Sequence, residues 1–293
     1  MFLIPTTQAM HLAKKLAKFS GFKLVLPGLN RDQKRYFPDK ELYVKIEEYR
    51  KLKGKRVVVL HSGAPEPQDG LVELELILQI LKDADARPVE VFFTYFPYGM
   101  QDKVFDKGET NVAENLTDKL VSYYGVKRIT VVDPHFWGRA WVKKYPIKRV
   151  SALPLLLEAA KKDFGKDILL VSPDKGAKRR SGVKIVKGLK KQRRSSYDVR
   201  LKSSLKAKKF LRGKVVAVAD DILETGGTLV KFHEACQKAG AKKCLALITH
   251  GVLQKGIQRV EKFYAKLYLV NTLNQKAANV DVAPLLAKAL LGR

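Results

Sequence analysis

Val215-Val216-Ala217-Val218-Ala219-Asp220-Asp221-Ile222-Leu223-Glu224-Thr225-Gly226-Gly227-Thr228-Leu229 reads as a buried strand that runs into two adjacent carboxylates. A Thr-Gly-Gly-Thr turn follows, then a helix with Leu229, Phe232 and Cys236 as its apolar stripe, stopped near Gly240. Glycines let a backbone approach an anion. Threonine hydroxyls and the free N–H groups of a helix start donate hydrogen bonds, and the helix dipole favours phosphate there. Carboxylates are wrong for phosphate but suit sugar hydroxyls, so the motif as a whole matches a ribose carrying a 5-phosphate. A strand-to-helix turn with an Asp cap and glycines for geometry alone would need only one acid. Two acids and two flanking threonines favour phosphoribosyl binding. Cys236, on the apolar stripe, reads as core.

The same strand-loop-helix rhythm extends outward on both sides. Toward the C-terminus, Cys244 to Ile248 is the next apolar strand. Toward the N-terminus, strands are predicted at Phe2 to Ile4, Lys23 to Leu26, Leu42 to Ile46, Arg56 to Leu60, Val89 to Tyr95, Arg128 to Val132 and Ile168 to Val171. Helices are predicted over Gln8 to Phe19 and from about Leu71 to Leu81. Nearly continuous apolar strands alternating with helices predict an α/β fold built on mainly parallel sheets covered on both faces. Around residue 150 the chain passes from Lys143-Lys144-Tyr145-Pro146-Ile147-Lys148-Arg149 into a fresh helix and a second series of strands. Two similar α/β domains are therefore expected, 1–150 and 151–293, with the last helix able to pack back on the first.

The 293 residues, 46% hydrophobic and 29% charged, suffice for two cores and exclude a disordered chain. Cys236 and Cys244 have neither metal-type spacing nor a disulfide framework. Met1-Phe2-Leu3-Ile4-Pro5 has no basic region before its apolar stretch, and no run approaches the roughly 18 apolar residues of a membrane span. A cytoplasmic protein without membrane contact is expected. The formal charge is +28, and between Arg139 and Lys214 there are 25 Lys/Arg against 5 Asp/Glu, a net +20. Such an excess concentrates phosphate-bearing ligands or nucleic acid. Helix-turn-helix, zinc-finger and aromatic RNP signatures are missing, which argues against nucleic acid. No GxxxxGK[ST] sequence occurs, so a P-loop nucleotide site is not expected.

The Asp220-Asp221 stretch resembles the phosphoribosyl-pyrophosphate (PRPP) signature of the type I phosphoribosyltransferases and of the ribose-phosphate pyrophosphokinases, the PRPP synthases. Other segments choose between them. Phe37-Pro38-Asp39-Lys40-Glu41 is similar to the synthases' Phe-Pro-Asp-Gly-Glu loop, and Tyr95-Phe96-Pro97-Tyr98-Gly99-Met100-Gln101-Asp102 to their Tyr-Phe-Pro-Tyr-Ala-Arg-Gln-Asp. Val131-Val132-Asp133-Pro134-His135 resembles their Val-Asp-x-His, and Ser172-Pro173-Asp174 their Ser-Pro-Asp. These matches follow family order along essentially the whole chain. A plain phosphoribosyltransferase explains only the Asp-Asp motif.

The resemblance implies a phosphoribosyltransferase-like fold and an enzyme that moves pyrophosphate from ATP to the C1 hydroxyl of ribose 5-phosphate. Asp220 and Asp221 would hold the ribose hydroxyls, with Glu224, Thr225, Gly226, Gly227 and Thr228 around the 5-phosphate. Phe37, Asp39 and Glu41 of a neighbouring subunit would meet the nucleotide together with Gln101, Asp102 and Lys103, which implies a homo-oligomer. His135 and Asp174 would be Mg²⁺ ligands, oxygen suiting that ion better than nitrogen. Lys191 and Arg193, in the basic run Gly188 to Ser196, would be the catalytic cations on a mobile loop, with Lys190 and Arg194 as the alternatives if the register shifts by one residue. Without the resemblance, Phe37 reads as an apolar anchor, His135 as a satisfied polar residue and Asp174 as a turn former.

Four places depart from the family pattern. Met100 stands for an arginine, Lys40 for a glycine at a turn that needs positive φ, Phe136-Trp137-Gly138-Arg139 is an unusual continuation after His135, and Lys175 to Arg180 is unusually basic. They leave open a catalytically weak, regulatory relative as the alternative, with a basic nucleic-acid-binding protein behind it.

Overall fold

A computed structural model describes residues 1–172, 189–193, 199–203 and 210–292. The chain divides into two compact units, one of residues 1–150, 272–274 and 283–293, the other of 151–271 and 275–282.

The first unit runs β1 (Phe2–Pro5), α1 (Met10–Leu16), β2 (Lys23–Leu24), β3 (Val57–Ser62), α2 (Pro67–Asp83), β4 (Val89–Tyr95), α3 (Val112–Asp118), β5 (Arg128–Val132) and β6 (Ile147–Val150). The strands form one sheet in the order β2-β1-β3-β4-β5-β6, every pair parallel. Val57 and Val59 join Leu74, Ile77, Leu78 and Leu81 of α2 in one hydrophobic cluster. The alternate residues Val58 and Leu60 are equally buried, so β3 is covered on both faces, which is why it reads as an unbroken apolar run.

The second unit runs α4 (Leu153–Phe164), β7 (Ile168–Val171), β8 (Leu189–Arg193), β9 (Val199–Ser203), β10 (Val215–Leu223), α5 (Gly227–Lys238), β11 (Lys243–Gly251), α6 (Gln254–Phe263) and β12 (Lys266–Leu269). Its main sheet, β12-β11-β10-β7, is again all parallel. Val216 and Val218 pack with Phe232 and Cys236 of α5 and Ile257 and Val260 of α6. β8 and β9 form a separate antiparallel ribbon. A last helix, α7 (Ala283–Leu291), belongs to the first unit, where it lies beside α1.

Three readings of the sequence need correction. Leu42 to Ile46 is not a strand: it is one arm of a loop closed by isolated antiparallel bridges, Tyr36 to Leu42 and Gly28 to Lys45. Its alternating apolar residues arise because Val44 and Ile46 rest on the core below. The helix predicted to reach Phe19 ends at Leu16. Strand β10 continues beyond Ala219, pairing Asp220 with Ile248 and Ile222 with His250.

Candidate active site

In parallel sheets all strands end on one edge, and ligands collect beyond it. The second unit's β10 delivers Asp220 and Asp221 there, the former half-buried and the latter buried. Asp220 Oδ1 accepts the N–H of Asp221 at 3.1 Å. The chain then turns through exposed Glu224 and Thr225, enters the left-handed region at Gly226 (φ 74°), and starts α5 at Gly227. Among the described residues no side chain caps this helix start, so its first-turn N–H groups stay open to an anion. Thr225 and Thr228 flank the opening. The turn leans on α6, where Arg259 Nη1 donates to the Thr225 carbonyl at 3.0 Å.

Lys191 and Arg193 lie on β8, in register with Leu201 and Val199 of β9. The segment read as a mobile loop is therefore paired as a strand from Leu189 to Arg193. Strand β9 runs beside α5, the helix that begins at the Thr-Gly-Gly-Thr turn. Asp174, Lys175 to Arg180 and Arg194 lie outside the described residues.

In the first unit, the segments after β3, β4 and β5 gather on the corresponding edge. Gly63 N donates to Tyr95 O at 2.8 Å, and a Cβ on Gly63 would collide with the Pro97 backbone. After β4, Met100 is 42% exposed, and Gln101 and Lys103 face solvent. Asp102 differs from these neighbours: it is 2% exposed and paired with Arg139. Its carboxylate is thus committed to an internal ion pair, a partnership hidden in the stretch that departs from the family pattern.

His135 sits half-buried in the turn that follows β5. Two residues before it, Asp133 has a φ of 34° and pairs with Arg149 Nη2 at 2.8 Å. No group of three or more His, Cys, Asp or Glu side chains able to hold a metal occurs among the described residues.

Phe37, Asp39 and Glu41 occupy the tip of the loop spanning residues 28 to 45, all three exposed. Phe37 meets the Tyr43 ring edge-on at 5.7 Å, and Asp39 Oδ1 accepts Glu41 N–H at 3.0 Å. Lys40 has a φ of 72°, the conformation a glycine would take most easily. Two anchors hold the loop: Arg35 Nη2 lies 2.9 Å from Glu73 Oε1, and Tyr36 donates its hydroxyl to Asp69 Oδ2 at 3.2 Å. Glu73, only 2% exposed, also accepts the N–H and the hydroxyl of Thr7. Arg35 and Glu73 lie too far apart in sequence for spacing to reveal them.

Fold and site first define a class: a two-unit protein with all-parallel main sheets, whose second unit carries two strand-end acids and a Thr-Gly-Gly-Thr turn into a helix. Comparison with known proteins narrows it. The family model for the N-terminal domain of ribose phosphate pyrophosphokinase matches residues 1–125. A ribose-phosphate pyrophosphokinase of Thermococcus kodakarensis is 31% identical over 261 residues, covering 86% of this chain and 89% of the relative. That of Pyrococcus abyssi is 28% identical over 289 residues, covering 96% and 95%. Phosphoribosylpyrophosphate synthetase from Mycobacterium smegmatis shares the fold, with a TM-score of 0.81 at 24% identity over 99% of this chain and 97% of its own. The chain belongs to the ribose-phosphate pyrophosphokinase family.

Proposed function

We propose that this protein transfers the pyrophosphoryl group of ATP to the C1 hydroxyl of ribose 5-phosphate, giving PRPP and AMP for nucleotide biosynthesis. The observation that carries the reading is the β10-to-α5 turn, with its acid pair beside an uncapped helix start, in a chain of this family. Asp220 and Asp221 accept hydrogen bonds from the ribose hydroxyls, and the backbone of Glu224 to Thr228 receives the 5-phosphate. Each sugar end is thereby matched to opposite chemistry a few residues apart.

The C1 oxygen attacks the β-phosphorus as the bond from that phosphorus to the α-phosphate oxygen breaks. The C1 hydroxyl loses its proton, and the displaced oxygen remains on AMP. Such a transfer depends mainly on positioning and charge neutralisation. Lys191 and Arg193 supply positive charge to the transferring group. His135 and Asp174 would hold Mg²⁺, which when bound would neutralise further charge on the ATP phosphates.

The division of labour follows the chain: residues 1–150 serve the nucleotide through Gln101, Asp102 and Lys103, and residues 151–293 serve the sugar phosphate. Asp102 serves as the fixed base of its segment, since Arg139 occupies its carboxylate. Phe37, Asp39 and Glu41, exposed at their loop tip, contact the nucleotide of a neighbouring copy, which makes the working enzyme at least a dimer. We assign the reaction to the cytoplasm, where free thiols such as Cys236 and Cys244 persist.

The test is formation of AMP and PRPP from ATP, ribose 5-phosphate and Mg²⁺, with Lys191→Ala and Asp174→Ala beside the parent. Turnover by the parent that both substitutions abolish is the expected result. A folded parent that binds both substrates without turnover overturns it.

A further inference from the structure

Two successive peptide groups of the Thr-Gly-Gly-Thr turn present their carbonyls to helix α6. The Thr225 oxygen accepts the 3.0 Å hydrogen bond from Arg259 Nη1. The Glu224 oxygen lies over the α-carbon of Gly256, so close that a Cβ there would overlap both that oxygen and its carbon. Neither peptide is cis, and in a trans peptide the N–H points away from the C=O. The N–H groups of Thr225 and Gly226 therefore face away from α6.

Among the described residues neither N–H has a hydrogen-bond acceptor. They continue into the first-turn N–H groups of α5 at Gly227, Thr228 and Leu229, which have no partner within their helix. Gly226, left-handed and packed beneath the Gly256 carbonyl and Val260, joins these groups into one concave array of donors. Such a nest of convergent N–H groups binds anions. A carbonyl swung into the same space would repel the anion, so whatever holds the carbonyls outward sets the affinity.

We propose that Gly256 and Arg259 are positioning residues for ribose 5-phosphate, aiming the N–H groups of Thr225 and Gly226 at the 5-phosphate without touching the sugar. Arg259 does this by hydrogen bonding, and Gly256 by having no side chain. The inference rests on the reading of this turn as the 5-phosphate site. It places part of the specificity for the phosphorylated sugar on α6, outside the signature stretch.

The experiment measures binding of ribose 5-phosphate and of Mg-ATP separately, by titration calorimetry, for the parent, Arg259→Met, Arg259→Lys and Gly256→Ala. Losing one charge-assisted hydrogen bond predicts an affinity for ribose 5-phosphate about tenfold weaker in Arg259→Met. ATP affinity stays at the parent value, and Arg259→Lys, which keeps a donor, recovers most of the loss. Gly256→Ala, which changes no charge, gives the same selective loss and separates aim from simple attraction. Should that variant not fold, the Arg259 pair decides.

Unchanged sugar-phosphate affinity in Arg259→Met, or equal losses for both ligands, overturns the inference while the site reading stands. A folded parent that does not bind ribose 5-phosphate removes the site reading and the inference with it.

Discussion

Arg139 grips Asp102 through two parallel hydrogen bonds, Nε to Oδ2 at 2.7 Å and Nη2 to Oδ1 at 2.9 Å. Trp141 Nε1 adds a third contact, donating to the Asp102 carbonyl at 3.1 Å. The segment after β4 is thereby fastened to the turn after β5. Arg139→Met leaves a buried carboxylate without its partner and is expected to cost about 3 kcal/mol in urea unfolding. Asp102→Asn introduced beside it removes the orphaned charge and restores part of that loss. A double-mutant cycle with no coupling would contradict the pairing.

Lys40 occupies the left-handed region where it closes a tight turn, its N–H donating to the Phe37 carbonyl at 2.9 Å. An L-residue there carries strain of about 1–2 kcal/mol, part of which glycine returns as unfolded-state entropy. Lys40→Gly is expected to raise stability by about 0.5 kcal/mol, whereas the β-branched Lys40→Val lowers it by about 1–2 kcal/mol. Urea midpoints of the two variants read this directly.

His61, at the end of β3, is fully buried, with Nδ1 3.0 Å from the Thr6 hydroxyl and Nε2 without a partner among the described residues. Burial pushes its pKa from the ordinary 6.5 down to about 3. Between those values the unfolded chain binds a proton that the folded chain refuses. The stability contribution is therefore complete above pH 6.5 and is lost as the pH falls, by about 1.4 kcal/mol per unit. Unfolding free energies from pH 7 down to pH 5 should fall more steeply for the parent than for His61→Gln. Parallel slopes would show that the imidazole is already charged in the folded protein.

The sequence revealed most where strands are buried on both faces. Val89–Tyr95 and Arg128–Val132, inside their sheet, agree with the structure at both ends, as does the apolar edge strand Ile168–Val171. Two edge strands escaped notice. Ile147–Val150 and Lys266–Leu269 each lie at the rim of a sheet and carry Lys or Arg that blurs the pattern. The strand-turn-helix of the second unit was legible because its residues are consecutive. The ties that hold site segments in place join residues far apart in the chain: Arg35 with Glu73, Asp102 with Arg139, Thr225 with Arg259. Spacing carries no trace of such pairs, since only the folded chain makes them neighbours.

Helix α7 has a consequence for how the protein is made. Leu286, Ala287 and Leu290 are buried in the first unit, and Arg56 donates to the Leu290 carbonyl at 3.3 Å. A ribosome that has finished the strands of the first unit must still synthesise the whole second unit before this helix emerges. Throughout that interval the nascent first unit lacks the helix that lies beside α1. The first unit is thus completed only after the second has been synthesised.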